Sequence, residues 1–376
     1  MSKRSTQAWS SLRAVVTSGV DVMSQMPVTA EHLRRVIPAF SLSMIRVDER
    51  CAPQHHYSEH FDDFSHHLFA TSGHLFAGNA SDPAAFGTLL RNKQPVGTLV
   101  DNRPEYLAGA TYQHLFKRNG IHHCLDLALR EGDTPLGILG IFREADARPF
   151  SAQEVEAARA LYPWLVHALA HPAADSPFEE TESAMVMASV DGRILWASEL
   201  ALRWLEDGSG GPERALLRDK EQLPAACRLV CQQLGRARVA RPGGEVPTVT
   251  IPVPGGRLRL RGYALGAGAE AEGRVGIHLS LELSRALRVL HALEGLRVAP
   301  QLKRLAFRLW QGHDARQICA ELSLSVETFK SYRKELYTRL EVASVEALRE
   351  LLDRQARAVS FDLSRHRPRA SPPSRG

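Results

Sequence analysis

The sequence predicts a multidomain α+β chain: two α/β units, each built on an antiparallel sheet, then an all-α unit of four helices. Three observations predict it. Apolar residues alternate with period two in two separate stretches, 124–142 and 248–283, as half-buried strands require. From residue 298 onward the apolar spacing is helical and no alternating run returns. The charge also shifts. Residues 296–376 hold 16 Lys and Arg against 9 Asp and Glu, whereas the rest of the 376-residue chain holds 31 against 33. The net charge of +5 therefore belongs to the C-terminal part, which suits a polyanionic partner there and nowhere else.

The first unit is expected over residues 1–172. In CLDLALREGDTPLGILGIF (124–142), Leu125, Leu127 and Leu129 point one way, and Leu136, Ile138 and Phe142 mark the return strand. The loop between them makes this a hairpin with one buried face. Next, Ser151 and Glu154 form a capping box, in which hydroxyl and carboxylate each take an orphan backbone N–H. Val155, Ala158, Tyr162, Leu165 and Leu169 then recur at helical spacing, with a kink expected at Pro163. The Pro-, Ser- and Glu-rich stretch 171–183 is read as a linker.

The second unit is expected over residues 181–285. Asp191-Gly192 joins two short apolar strands, and Ser198 is placed to cap the helix after them. A second helical stretch leads to Pro254-Gly255-Gly256, a turn between strands. Beyond it Arg257, Arg259 and Arg261 alternate with Leu258 and Leu260. A helical connector is read over 281–296. The third unit, 290–358, places Leu302, Leu305 and Leu309 inward on its first helix, which Gly312 ends, and Ile318 and Leu322 inward on the second. Residues 359–376 form a Pro-, Ser- and Arg-rich tail, expected to be disordered.

Other classes are poorly served. The N-terminus lacks a signal-peptide apolar run, and no stretch approaches the roughly 20 apolar residues of a membrane helix. The five cysteines, Cys51, Cys124, Cys227, Cys231 and Cys319, form no C-x-x-C pair, which reads as reduced thiols in a cytoplasmic protein. No phosphate-binding loop, nucleophile elbow or H-E-x-x-H pattern is present, so neither an enzyme nor a cofactor is expected.

The chemistry concentrates in SLSVETFKSYRKELYTRL (323–340). Two short helices, a three-residue turn and a longer basic helix make a helix-turn-helix pattern. Ser325 is positioned to cap the last of them, and its free N–H groups suit a phosphate. Phe329, Leu336 and Leu340 share the inner side. Lys330, Ser331 and Lys334 share the outer side, where two cations one turn apart can meet base edges in a major groove. Arg316, Thr328 and Arg333 sit where they contact phosphates, as does Ser325.

Residues 298–348 resemble the LuxR/GerE-type helix-turn-helix domain without gaps, through Pro300, Leu305, Leu309, Gln311-Gly312, Ile318, Leu322, Ser325, Thr328, Lys330, Tyr337 and Leu340. The resemblance implies a regulator binding duplex DNA as a homodimer, with Lys330, Ser331 and Lys334 facing bases. It implies dimerisation through the fourth helix, whose apolar side holds Val345, Leu348 and Leu352. RNA polymerase is a further candidate partner. The sequence departs from the family at Leu302, where Glu is usual, and at Ser323 and Glu341, where Gly is usual. These departures keep a second reading open: a sensor acting on another protein through a degenerate domain. Residues 136–169 resemble a GAF-like sensor half, and 187–205 with the later strands of that unit resemble a divergent PAS-like fold. Both imply signal input, such as a small-molecule ligand.

A third reading starts from the crowd His55, His56, His60, His66, His67 and His74, with Asp62 and Asp63 among them. His56 and His60 at i, i+4 would share a helix face suited to a metal or haem. Nothing completes a closed site, and a polar surface segment is preferred. Cys227 and Cys231, also at i, i+4, are read as buried core thiols.

Overall fold

The computed structural model describes residues 3–59, 82–91, 95–98, 104–171, 178–208, 222–240, 246–265 and 273–361, with positions 65, 68 and 76. Two helices lead: α1 (Lys3–Val16) and α2 (Val22–Arg34), the latter capped by the Asp21 carboxylate on the Ser24 N–H. Strands β1 (Ser41–Val47) and β2 (Pro53–Ser58) follow, then α3 (Phe86–Arg91), β3 (Val96–Thr98) and α4 (Pro104–Ala108). After a π-helical turn, Tyr112–Phe116, come β4 (His123–Glu131), β5 (Thr134–Arg143) and α5 (Ala152–Ala170). The sheet is antiparallel in the order β2-β1-β5-β4-β3.

The β4–β5 hairpin is buried on both faces, not one as the alternation predicts. Leu125, Leu127, Leu129, Leu139 and Ile141 face α1, α2 and α5. The opposite positions, Cys124, Ala128, Ile138 and Phe142, are covered by Phe86, Tyr106 and Phe116. The sequence periodicity hid this second layer because its cover comes from distant elements. The capping box forms as expected: Ser151 N donates to Glu154 Oε2 at 2.8 Å. Glu154 also accepts from the buried Arg143 guanidinium at 2.7 Å, and that guanidinium lies 4.1 Å from the Phe150 ring centre. Arg143 donates as well to the carbonyls of Pro38, Arg148 and Pro149. One buried ion pair thus ties the end of β5, the loop after it and the start of α5 together. The helix runs unbroken through Pro163, and the carbonyl this residue leaves free is that of exposed Arg159.

The second sheet comprises β6 (Phe178–Ser189), β7 (Ile194–Ala197), β8 (Thr248–Val253), β9 (Gly256–Ala264) and β10 (Arg274–Ser284). Its order, β7-β6-β10-β9-β8, repeats that of the first sheet when each is counted from its own first strand. Helices α6 (Glu199–Gly208) and α7 (Ala225–Ala240) lie between β7 and β8 in sequence. Ser198 caps α6 on the Ala201 N–H, and Gly192 takes φ 90° in the β6–β7 turn. On β9, Leu258 and Leu260 are buried while Arg257 and Arg259 reach Glu282 on the neighbouring β10. Two expectations are corrected. Strand β6 begins at Phe178, inside the stretch read as a linker, because β10 pairs with it down to Phe178. Residues 281–284, read as connector helix, end β10; the helix starts one residue later, capped by Ser284 on the Leu287 N–H.

The remaining elements are helical: α8 (Arg285–Gly295), α9 (Pro300–Gln311), α10 (Ala315–Leu322), α11 (Val326–Leu340) and α12 (Val345–Arg357). They share one core through Leu290, Leu305, Ile318, Phe329, Leu336 and Leu352. Val15 and Val20, from the far end of the chain, enter the same core. Helix α1 therefore has two buried sides, since its Leu12 and Val16 belong to the core beneath the first sheet. Among the described residues no helix is long and apolar enough to cross a membrane. The predicted tail lies outside the described residues from position 362.

Candidate nucleic-acid interface

Helix α9 opens with Pro300 in its first turn, where a missing N–H costs nothing, and closes on Gly312 at φ 91°. Asp314 and Gln317 then build a reciprocal capping box at the start of α10. Three residues join α10 to α11. The first, Ser323, is left-handed at φ 54°, and its N–H reaches the Ala320 carbonyl. The last, Ser325, accepts from the Thr328 N–H at 3.1 Å, and the two hydroxyls pair at 2.9 Å. The turn thus reverses the chain without glycine, at a cost of about 1 kcal/mol for the left-handed serine.

The sides of α11 divide as its sequence predicts. Phe329 and Leu336 are buried; Lys330, Ser331, Arg333 and Lys334 are exposed. Among the described residues no carboxylate pairs with Lys330, Arg333 or Lys334, whereas Arg339 is bound to Glu335 at 2.8 Å. The Arg333 guanidinium lies 5.5 Å from the Phe329 ring centre, which steadies it without neutralising it. Arg316 is exposed on α10, Thr328 half-buried beside Ser325. Lys330, Arg333 and Lys334 on α11 and Arg316 on α10 are thus exposed cations without a carboxylate partner among the described residues, close in sequence to the Ser325-capped helix start. Such a surface can take phosphates at the helix start and present cations along the helix.

The positions that depart from the family pattern are absorbed. Leu302 is fully buried against the other helices, so an apolar side chain suits it. Glu341 ends α11 at φ 55°, as Ser323 ends α10. The fourth helix packs inside this chain. Leu348 and Leu352 are fully buried within this chain's own core, with Val345 packed against it. Helices α8 and α9 both lie on α12, and Asp353 accepts from Arg285 on α8 and from Trp310 on α9. In this arrangement Leu348 and Leu352 are not available to a second copy, and Val345 is half-buried.

The histidine expectation also changes. His55 and His56 lie on strand β2, so no helix face carries His56 with a residue four positions on. The His56 ring sits 3.4 Å from the Ser43 hydroxyl. His60, His66, His67, His74, Asp62 and Asp63 lie outside the described residues. Cys227 and Cys231 are fully buried in the second core, and burial pushes the Cys231 thiol up to about 11.

One site escaped the sequence reading. Asp126 on β4 is buried on the side of the sheet away from α5, and its Oδ2 has no hydrogen-bond partner among the described residues. Burial pushes its carboxyl up to about 7. It borders a small cavity with Phe86, Phe116, Phe142 and Thr111, whose hydroxyl is also unpartnered. The only sequence signal was an acid inside an apolar alternating run.

Comparison with known proteins bears on this part of the chain. The GAF domain family matches residues 28–169. Residues 28–169 form a GAF domain. The Asp126 cavity belongs to it, while α1 and the start of α2 precede it. Among curated proteins no match is found. Solved structures give low overall likeness. A Vibrio cholerae VqmA–ligand–DNA complex is 15% identical, with 48% of this chain and 85% of that one covered, at a TM-score of 0.28. A phage VqmA–DPO complex is 12% identical, covers 54% and 89%, and scores 0.23. The Escherichia coli DhaR(N)–DhaL complex is 12% identical, covers 75% and 90%, and scores 0.22. Scores this low carry no argument about the present chain.

Proposed function

We propose that the chain is a sensor-controlled transcriptional regulator. Its C-terminal helices act as a LuxR/GerE-type helix-turn-helix domain that binds duplex DNA in the major groove. The GAF domain and the second, PAS-like unit receive the signal. The observation that carries the reading is the unneutralised cation set on α11, Lys330, Arg333 and Lys334, beside the Ser325-capped helix start. A surface kept for protein contact would gain from pairing these charges internally, as Arg339 is paired. Phosphates would meet Arg316, Ser325, Thr328 and Arg333, and base edges Lys330, Ser331 and Lys334. Control follows from linkage: a ligand favouring the DNA-competent arrangement shifts the population toward it. Binding as a homodimer needs either α12 freed from α8 or a face other than Leu348 and Leu352. RNA polymerase is the natural recipient of the output.

The test is fluorescence anisotropy of the whole protein on a labelled mixed-sequence duplex between 50 and 200 mM salt. The logarithm of affinity should fall linearly with the logarithm of salt, by roughly 0.9 per neutralised phosphate. Arg316→Ala and Arg333→Ala should each flatten that slope by about 1. A chain with no salt-dependent affinity for duplex DNA sinks the proposal and favours action on another protein.

A further inference from the structure

We propose a second ligand site, for an amphipathic organic anion, in the cleft between α1 and α5 on one side and α8 and α9 on the other. The cleft encloses about 700 Å³. That lies in the range that takes a small organic molecule. Its apolar lining includes Trp164 from α5, Leu290 from α8, Phe307 from α9 and Val298 just before it. Its distinguishing feature is charge without counter-charge.

Six of its lining side chains are Lys, Arg or Glu whose pairing can be followed: Arg13, Glu294, Lys303, Arg304, Arg308 and Glu321. Arg308 is fully engaged: Nε meets Glu321 at 2.8 Å and Nη1 meets Gln311 Oε1 at 2.6 Å. Glu294 lies 3.6 Å from His32, and its backbone carbonyl accepts from Lys303. Glu321 is thus paired with Arg308, and the Glu294 carboxylate acts on His32 and Lys303. Arg304 and Arg13 remain, and among the described residues no carboxylate reaches either. Arg304 is half-buried, and its Nε is shut from solvent with no hydrogen-bond partner among the described residues. Burial first, then the charge of Arg13, holds its guanidinium below the usual range. Arg13 lies at the rim, 5.4 Å from the Trp164 ring centre.

An arginine cannot relieve this by losing its proton at pH 7. Tyr332 is the remaining group that acts on Arg304, and a phenol is neutral there. A carboxylate or phosphate head accepting from Arg304 and Arg13 would answer both defects. An aromatic or branched body would cover Trp164 and Phe307. Because the walls come from both the front helices and the C-terminal helices, an occupant would fix α9 against α1. The site stands apart from the DNA reading; only its effect on DNA binding rests on it.

The experiment is thermal melting and tryptophan fluorescence of the whole protein, without DNA, against four probes: 2-naphthyl phosphate, 2-naphthoate, uncharged 2-naphthol and inorganic phosphate. One or both naphthyl anions should raise the melting midpoint saturably and quench fluorescence; naphthol and inorganic phosphate should do neither. A response to the phosphate alone assigns a phosphate monoester, to the carboxylate alone a carboxylic acid. Arg304→Gln should abolish the anion response while leaving the ligand-free midpoint level or higher, which a merely structural arginine would not do. Arg13→Gln, at an exposed position, should weaken the response at least five-fold and covers the case in which the first variant does not fold. The proposal is overturned if neither anion acts up to millimolar concentration, if naphthol matches the anions, or if both variants respond like the parent. Because no DNA is present, failure here is separate from failure of the regulator reading.

Discussion

The Asp353 carboxylate on α12 accepts from Arg285 Nε at 3.1 Å and from Trp310 Nε1 at 2.8 Å, joining α8, α9 and α12 at one point. Burial alone would raise this carboxyl; the hydrogen bonds from Arg285 and Trp310 outweigh it and hold it below its ordinary value. A carboxylate depressed on folding contributes stability above its unfolded value and loses it as pH falls through the folded one. Asp353→Ala should therefore cost about 1–3 kcal/mol at pH 7 by leaving Arg285 and Trp310 without an acceptor. Denaturant melts at pH 7 and pH 3 should show the difference shrinking at the lower pH. An equal cost at both would point to packing instead.

Lys334 stands exposed on α11 with no carboxylate partner among the described residues. Once a target sequence is known, Lys334→Ala should weaken specific binding by about 1–3 kcal/mol and relax preference at one base pair. Competition binding with single-base variants of the target measures this. Uniform weakening across all sequences would move Lys334 to the phosphate-contacting group.

Ser323 and Glu341 hold left-handed backbone, at φ 54° and 55°. Ser323→Gly and Glu341→Gly should each stabilise the helical unit by up to about 1 kcal/mol, since glycine meets no Cβ penalty there. Chemical denaturation of each variant tests it. A loss of stability would mean that glycine's freedom in the unfolded chain outweighs the relief.

Asp126 carries the opposite sign from Asp353. With its carboxyl raised to about 7, the folded protein binds a proton that the unfolded chain releases near pH 4. Stability is then greatest below pH 4 as far as this group is concerned, and falls as pH rises toward 7, by roughly 3–4 kcal/mol. Asp126→Asn, which keeps the shape and cannot ionise, should raise the melting midpoint at pH 8 and change it little at pH 4. A variant less stable than the parent at pH 8 would show that Asp126 is needed as an anion.

Local pattern reached far into this fold. Alternation located the hairpins, Ser151–Glu154 located the start of α5, and helical spacing sorted the buried and exposed sides of α11. What it missed was cover supplied from a distance. Asp126 shares a strand with Leu125 and Leu127 but borders a cavity lined from as far away as Ser43 and Phe76, which no local period records. Leu348 and Leu352 were legible as an apolar side, yet nothing local says that α8 occupies it. His56 and His60 share a helix face only if the chain there is helical, and β pairing with β1 removes that premise.

Helix α1 carries a final consequence. Leu12 and Val16 belong to one core, Val15 and Val20 to another, and Arg308 donates to the Thr17 carbonyl between them. The C-terminal helices are therefore not a portable cassette. Excised at residue 285 or 296, they would leave an open apolar seam where Val15 and Val20 had been, and would tend to self-associate. A transplantable version has to bring residues 3–20 with it as a separate strip, and chimaeras cut at the apparent boundary should fail for want of a helix encoded almost 300 positions upstream.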